Sequence, residues 1–538
     1  MRIYFYFNLQ THTLLCHKMA CHLQDTRGWR DFAGLMAVKG GSHYDFVRSQ
    51  TDVVHQYIDV VDQIEKEALL YQVSPSRLAE WERRLDCPLW HLVVADRSIG
   101  HMFVKGGLIP RTDIMDLATH ENIARFVCYY LDFLERRLEV FRPDVVFFTV
   151  LAAMPALALA KVCQWMRIPF FVLRHTRILD RYVITLNDST EEFASVEERF
   201  QGLLRQQTNI PPLPEEARRY FDSFRGAKPE LPSYTLINTG KRQQARQESW
   251  LRFWGRIGRR FMGSLYRGVR RIQQPDRHLR SGHPFSSWWL ASRAELAIRY
   301  QSRRHTEPPQ IGQEPYVLFP LHLDPEASTM ILAPNFVNQL VVVEALAKNI
   351  PLTHKLYVKE HPTMLGRRPR GFYEEIGQYP NVRLIQAGED NSRLIRHADL
   401  VTVITGTSGW EAILMERPVI TFGDCFYADL GFSERCSDFN QLGQQIRHLL
   451  FERDELGQEM HVRRLLLFLT AVFEESFPLS EHILWPQRPL RPDQLGELEL
   501  NTARTIADQL ATAISNFNAG QQNTVGGREG NRVEDVLL

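Results

Sequence analysis

The sequence predicts an α/β protein: two Rossmann-like domains facing a cleft, with a helical basic insertion between them. Three observations predict it. Short apolar runs alternate with helix-like stretches from the start to about residue 190. The same alternation repeats more cleanly after residue 311. Between them lies a stretch dense in arginine. Continuous apolar strands separated by helices are the pattern of a parallel sheet covered on both faces.

In the first half, Ile3–Phe7 reads as a strand and Leu14–Leu23 as a helix. Leu89–Ala95 reads as a second strand, ending at Asp96-Arg97. A helix over Asn122–Val140 precedes the apolar strand Val145–Val150. A further helix, Ala156–Met166, leads to the strand Phe170–Leu173. In the second half the strands are Tyr316–Pro320, Lys355–Lys359, Val382–Ile385, Leu400–Ile404 and Pro418–Phe422. Helices are expected over Val337–Lys348 and Trp410–Met415. The expected division is an N-terminal domain over 1–190, the basic insertion over 191–310 and a C-terminal domain over 311–450. C-terminal helices follow over 451–515, then a tail over 516–538 expected to be disordered because it has little apolar content.

The chain has 538 residues, 44% hydrophobic and 24% charged, with a net charge of +1. That composition excludes wholesale disorder, collagen-like repeats and a small disulfide scaffold. Seven cysteines without a CxxC pair read as reduced thiols of a cytoplasmic protein. The start carries no export signal pattern, and Val145–Ala160, the longest apolar run, is short of the ~20 residues a membrane span needs. The near-zero charge hides segregation. Lys241–His305 holds 16 Lys+Arg against three acids, +13 in all, which leaves −12 on the remainder. Within it Trp250, Trp254, Ile257, Phe261, Leu265, Val269 and Ile272 recur at steps of three and four among arginines. An Arg-rich amphipathic helix with aromatic anchors fits an anionic membrane surface, over about 248–273. Packing on its own domain is the plainer alternative, and nucleic acid a less favoured third.

Two motifs carry chemistry. A strand ends at Lys359 and is followed by Glu360-His361-Pro362, so a cation and an imidazole project from a carboxyl edge, where open α/β sheets bind ligands. The strand Leu400–Ile404 runs into Thr405-Gly406-Thr407-Ser408-Gly409-Trp410-Glu411. Two glycines, three hydroxyls and a helix N-terminus suit a phosphate. Glu411, one turn in, suits the two hydroxyls of a ribose. The plainer reading of Thr407 or Ser408 is a helix cap, which is compatible with phosphate binding.

Together with Phe319–Ser328 and Arg417–Gly423, these motifs resemble the capsule polysaccharide biosynthesis family. That family includes bacterial Kdo (3-deoxy-D-manno-octulosonic acid) transferases, and is more distantly similar to sialyltransferases that use CMP-sugars. The resemblance implies a GT-B glycosyltransferase with its site between two Rossmann-like domains. It assigns the nucleotide phosphate to His361, Pro362, Thr407 and Ser408 and the ribose to Glu411; Lys359, Thr405, Gly406 and Gly409, read from the two motifs themselves, complete the expected nucleotide site, with His361 also catalytic. The N-terminal half should supply a catalytic carboxylate. Asp96, read at a strand end before Arg97, leads there; a structural ion pair is its alternative, and Asp180 and Glu121 are weaker candidates. Arg97, Arg174, Arg177, Arg181, His322 and Glu326 are candidates for the acceptor or the sugar.

The implied function is transfer of a sugar, favoured as Kdo from CMP-Kdo, to a lipid-linked or glycan acceptor at the inner face of the cytoplasmic membrane. A UDP-sugar transferase or epimerase, or a CDP-glycerol transferase, on the same scaffold is one alternative. A non-catalytic assembly or export component is another. With no Asp-x-Asp present, a metal-dependent GT-A enzyme is not expected, and neither is any metal or cofactor. His12, His17 and His22 are spaced i,i+5, poorly placed to share one helix face around a metal.

Overall fold

The structure is a computed structural model. It describes residues 1–37, 41–50, 55–187, 193–206, 214–226, 229–232, 249–273, 278–300, 306–452, 455–485, 490 and 495–529.

The chain opens with β1 (Arg2–Phe7), α1 (Gln10–Arg27), β2 (Asp31–Met36) and β3 (His55–Val60). Ile3 to Phe7 are all buried, as a central strand covered on both faces requires. Helix α1 stops at Gly28, whose φ of 68° is left-handed and whose N–H bonds back to Gln24 O. Then come α2 (Leu89–Val94), α3 (His120–Phe141), β4 (Val145–Phe148), α4 (Ala153–Met166), β5 (Phe170–His175) and β6 (Arg181–Leu186). Four helices cross between the halves: α5 (Ala194–Arg205), α6 (Glu215–Arg225), α7 (Trp250–Gln273) and α8 (Pro284–Tyr300).

The second half contains β7 (Tyr316–Pro320), α9 (Gln339–Asn349), β8 (Lys355–Lys359), β9 (Val382–Ile385), α10 (Asn391–His397) and β10 (Leu400–Val403). It continues with α11 (Thr407–Leu414), β11 (Val419–Thr421), β12 (Glu434–Arg435), α12 (Phe439–Phe451) and α13 (Glu455–Glu475). Finally β13 (Phe477–Pro478) and α14 (Glu497–Glu529) return to the first half.

Two sheets result. The first runs β13-β6-β5-β4-β1-β2-β3, and in it only β6 runs against the others, pairing antiparallel with β5 on one side and β13 on the other. The second runs β12-β11-β10-β7-β8-β9 and is parallel throughout. In each, the strand order reverses beside the first strand, between β1 and β4 and between β7 and β10. Crevices at such reversals, outside the carboxyl ends of the strands, are where open α/β sheets bind ligands.

Most strands read from the sequence are found within a residue or two. Leu89–Ala95 is not one of them: it is the helix α2. Leu89, Leu92 and Val93 are buried at helical spacing and Trp90 and His91 face outward, a pattern that a short apolar run cannot display unambiguously. Strands β2 and β3 escape the sequence reading because Gly34 interrupts one and polar residues alternate through the other.

The insertion also divides differently. Helices α5 and α6 belong to the core of the C-terminal half, where Phe200, Tyr220 and Phe224 pack with Trp410, Phe426 and Phe468. Trp410 Nε1 donates to Tyr220 Oη at 3.0 Å. Their apolar stripes cover a sheet face that would otherwise be bare. The expected disordered tail is helical as far as Glu529. On α14, Ala503, Ile506, Leu510 and Ile514 share a core with Met19 and Leu23 of α1, and Phe517 meets Phe171 edge-on at 6.3 Å. Residues 530–538 lie outside the described residues, as do 241–248, 274–277 and 301–305 of the basic stretch.

The expected amphipathic helix is α7. It pairs with α8, where Arg256 and Arg260 both bind Glu295, while Phe253 and Ile257 are buried. The rest of its apolar stripe is not covered. Of 21 exposed large apolar side chains among the described residues, nine lie on α7 and two, Phe285 and Trp289, on α8. No described helix is long and apolar enough to cross a membrane.

Candidate active site

The second sheet gathers the two motifs at one edge. Strand β8 delivers Lys359, Glu360 and His361; β10 delivers Thr405 and the start of α11. His361 Nδ1 accepts from Thr363 N–H at 3.2 Å. A ring nitrogen that accepts leaves the proton on the other, so the Nε2–H of His361 is a donor. Pro362 opens the short 3-10 turn that His361 caps, which fixes the ring's origin.

Helix α11 starts from Gly406 rather than from a capping hydroxyl, so Thr407 and Ser408 are not its N-cap. With no side chain capping it, the first-turn amides stay oriented along the helix axis toward the strand ends. Gly409 has to be glycine: a Cβ there would collide with Tyr427 Oη and Val403. Tyr427 Oη in turn donates to Gly406 O at 2.5 Å and holds the turn. Thr405 is buried and its hydroxyl donates to Ser328 O at 2.8 Å, a structural bond inside the loop.

Glu411 is positioned by a residue the sequence reading missed. Asn391, at the first turn of α10, donates through Nδ2 to Ser408 Oγ at 3.0 Å and to Glu411 Oε2 at 3.3 Å. Burial pushes the Glu411 carboxyl up to about 7, against the opposing pull of Asn391 and the Lys359 charge. The signal for Asn391 was slight: it follows Asp390, which caps α10 through Ser392 and Arg393 N–H, and such polar clusters usually do no more than that.

Beneath this edge lies a buried charged cluster joining the halves. Arg368, 1% exposed, donates to Glu360 at 2.9 and 2.8 Å, to Asp324 at 3.2 Å and to the carbonyls of His322 and Gly106 at 3.1 and 2.7 Å. Leu108 N–H reaches Arg367 O at 2.7 Å. Gly106 and Gly107 of the first half press against Asp324 so closely that neither position has room for a Cβ. His322, an expected sugar ligand, is instead buried against the 405–406 turn. Its Nε2 accepts from Thr405 N–H at 3.4 Å, and burial lowers it to about 4, so it is neutral. Glu326 is half-buried and accepts from Ser328 Oγ.

The N-terminal candidates disperse. Asp96 does not end a strand. It follows α2 and is fully buried, with Oδ1 accepting from Ser98 and Ile99 N–H at 2.8 and 3.1 Å. Arg280, from the loop before α8, clasps both Asp96 oxygens at 3.0 and 2.8 Å and also pairs with Glu65. This is the structural ion pair, with Arg280 as partner in place of Arg97. Arg97 is exposed. Arg181 is committed to Ser476 Oγ and O and to Phe473 O at the crossing between halves. Arg174 lies on β5, opposite Val183 of β6. Arg177, at φ 65°, donates its N–H to His175 Nδ1 at 2.8 Å. Glu121 pairs with Arg125 on the surface, and Asp180 O accepts from Leu479 N–H.

The segment bearing these strand-end motifs, residues 277–452, matches the family described as capsule polysaccharide biosynthesis protein. The resemblance read from His361-Pro362 and Thr405–Glu411 therefore holds over the family stretch, which also contains Arg280, α8 and the Arg368 cluster. Among curated proteins, the capsule polysaccharide modification protein LipA of Neisseria meningitidis serogroup B is 32% identical over 93 residues, 17% of this chain and 13% of that protein. Among solved structures, Thermosulfurimonas dismutans KpsC, a beta Kdo 2,4 transferase, is 13% identical with a TM-score of 0.32, covering 67% of this chain and 87% of that one. A UDP-GlcNAc 2-epimerase from Neisseria meningitidis is 12% identical with a TM-score of 0.23, covering 88% and 98%.

Proposed function

We propose that the protein is a glycosyltransferase of capsule or surface polysaccharide biosynthesis. It takes a sugar from a nucleotide-activated donor, CMP-Kdo in the favoured form, and passes it to a glycan or lipid-linked acceptor. One observation carries the reading: an uncapped helix N-terminus, the His361 Nε2–H and an Asn391-held Glu411 converge on one sheet edge beside a strand-order reversal. The α11 amides and His361 stabilise negative charge on the departing nucleotide phosphate. Glu411 accepts the ribose hydroxyls, and Lys359 balances charge beside it. Asp96 serves this scheme as an anchor for Arg280 rather than as a base.

The exposed apolar face of α7 and α8, flanked by arginines, supports action at the inner face of the cytoplasmic membrane, where a lipid-linked acceptor would be met.

Calorimetric titration with CMP, CDP and UDP tests the donor site. CMP is expected to bind, with about tenfold or greater weakening in His361→Ala, the scale of one charge-assisted hydrogen bond. Selective binding of UDP would replace the CMP donor by a UDP-sugar. Product formation from CMP-Kdo that survives His361→Ala intact would remove His361 from the reaction, and no product from any nucleotide sugar would sink the transferase assignment.

A further inference from the structure

Between the halves, alongside the 405–406 turn, lies a cavity of about 340 Å³, within the size range of small-molecule sites. One wall comes from the first half: His91 of α2, and Leu157 and Lys161 of α4, four residues apart and so on one helix face. The other comes from the second half: Ala333, Gly423, Asp424 and Arg435. Gly423 ties this wall to the donor loop, because its N–H bonds Ile404 O at 2.9 Å and a Cβ there would collide with Thr405 Cγ2. A molecule in the cavity would therefore lie next to whatever the loop holds.

The charges on the two walls are not equivalent. Arg435 is neutralised locally, by Asp424 and by Asp429 at 3.2 Å. Lys161 is half-buried and has no ion pair or hydrogen bond to any described residue. A lysine drawn partly out of water without a counter-charge is unfavourable in the empty protein and favourable once an anion reaches it. The apolar neighbours Leu157 and Ala333 suit the carbon face of a sugar ring.

We propose that this cavity is a subsite for an anionic sugar, with Lys161 as the residue that selects the charge. The proposal rests on the transferase reading and deepens it by naming the chemistry of the acceptor. The anion is a sugar carboxylate or a sugar phosphate, and the probes separate the two.

Saturation-transfer NMR on the full chain with glucuronate, glucose 1-phosphate and glucose tests it. At least one anionic sugar should bind about fivefold or more tightly than glucose, the scale of one partly exposed ion pair. Lys161→Gln should erase that preference, Lys161→Arg should retain it, and CMP affinity should be unchanged in both. Glucuronate ahead of glucose 1-phosphate identifies a carboxylate; the reverse identifies a phosphate. Lys161-dependent anion selection without any nucleotide binding would leave the subsite standing and remove the donor assignment. Equal binding of all three sugars, binding of none, or a preference that persists in both Lys161→Gln and Lys161→Ala would overturn the subsite.

Discussion

Glu411 shows what a single residue's surroundings add to a motif. The sequence puts a glutamate one turn into a helix; the structure surrounds it with Asn391, Ser408 and Lys359, and burial raises its carboxyl to about 7. Below that value it holds a proton, and above it both oxygens accept, as ribose hydroxyls require. CMP affinity is therefore expected to rise between about pH 5.5 and 7 and then level off. Glu411→Gln should flatten this component; the phosphate's own titration is common to both proteins, so calorimetry of the pair isolates it. An unaltered pH profile in Glu411→Gln would remove the residue from the ribose. Asn391 was not legible in the sequence because its role depends on α10 and α11 being adjacent, and no local pattern encodes that. Asp96, read either as a base or as half of a structural ion pair, hides its partner for a related reason. Its partner, Arg280, lies 184 residues away, whereas Arg97 was merely next in line.

At the level of elements, period and length decided what could be read. Parallel strands such as β1, β7, β8 and β10 are unbroken apolar runs between turns, so they were found. The six residues of α2 were not, because so short an apolar run satisfies either period. The amphipathic period of α7 was legible, but its exposure was not, since a stripe can equally well be buried by a neighbour. Here α8 meets α7 at Ile257 and Phe261, chiefly through Trp288, and leaves Phe285 and Trp289 exposed beside the rest of the stripe. Flotation with anionic and neutral vesicles is expected to show binding to the anionic ones alone. Trp254→Glu should weaken it, and Trp289→Glu should weaken it further. Unchanged flotation in the double variant would exclude this face as the anchor.

At the scale of the whole molecule, the two-sheet architecture was legible and the path of the chain was not. Residues 194–225 looked like part of a separate insertion yet complete the second core, and 503–517 complete the first. Hydrophobic patterning reports that a helix has a buried face without reporting whose face it meets. Leu510 makes the point quantitative. It is fully buried on the last helix, among residues from the first 25 positions. Leu510→Ala should cost about 2–5 kcal/mol, as for a leucine deep in any core, read from urea denaturation. A loss below ~0.5 kcal/mol would mean that α14 does not hold that core together.

The return of β13 and α14 to the first sheet has a consequence for synthesis. As the chain leaves the ribosome, β1 and α1 emerge more than 400 residues before the helix that shields Met19 and Leu23. The strands of the second sheet, β7 to β12, are contiguous in sequence apart from the helices between them, and α5, α6 and α13 all precede β13. The half made second can therefore finish folding first. The half made first keeps that apolar face exposed until α14 has been made, which makes the face a natural holding point for a chaperone.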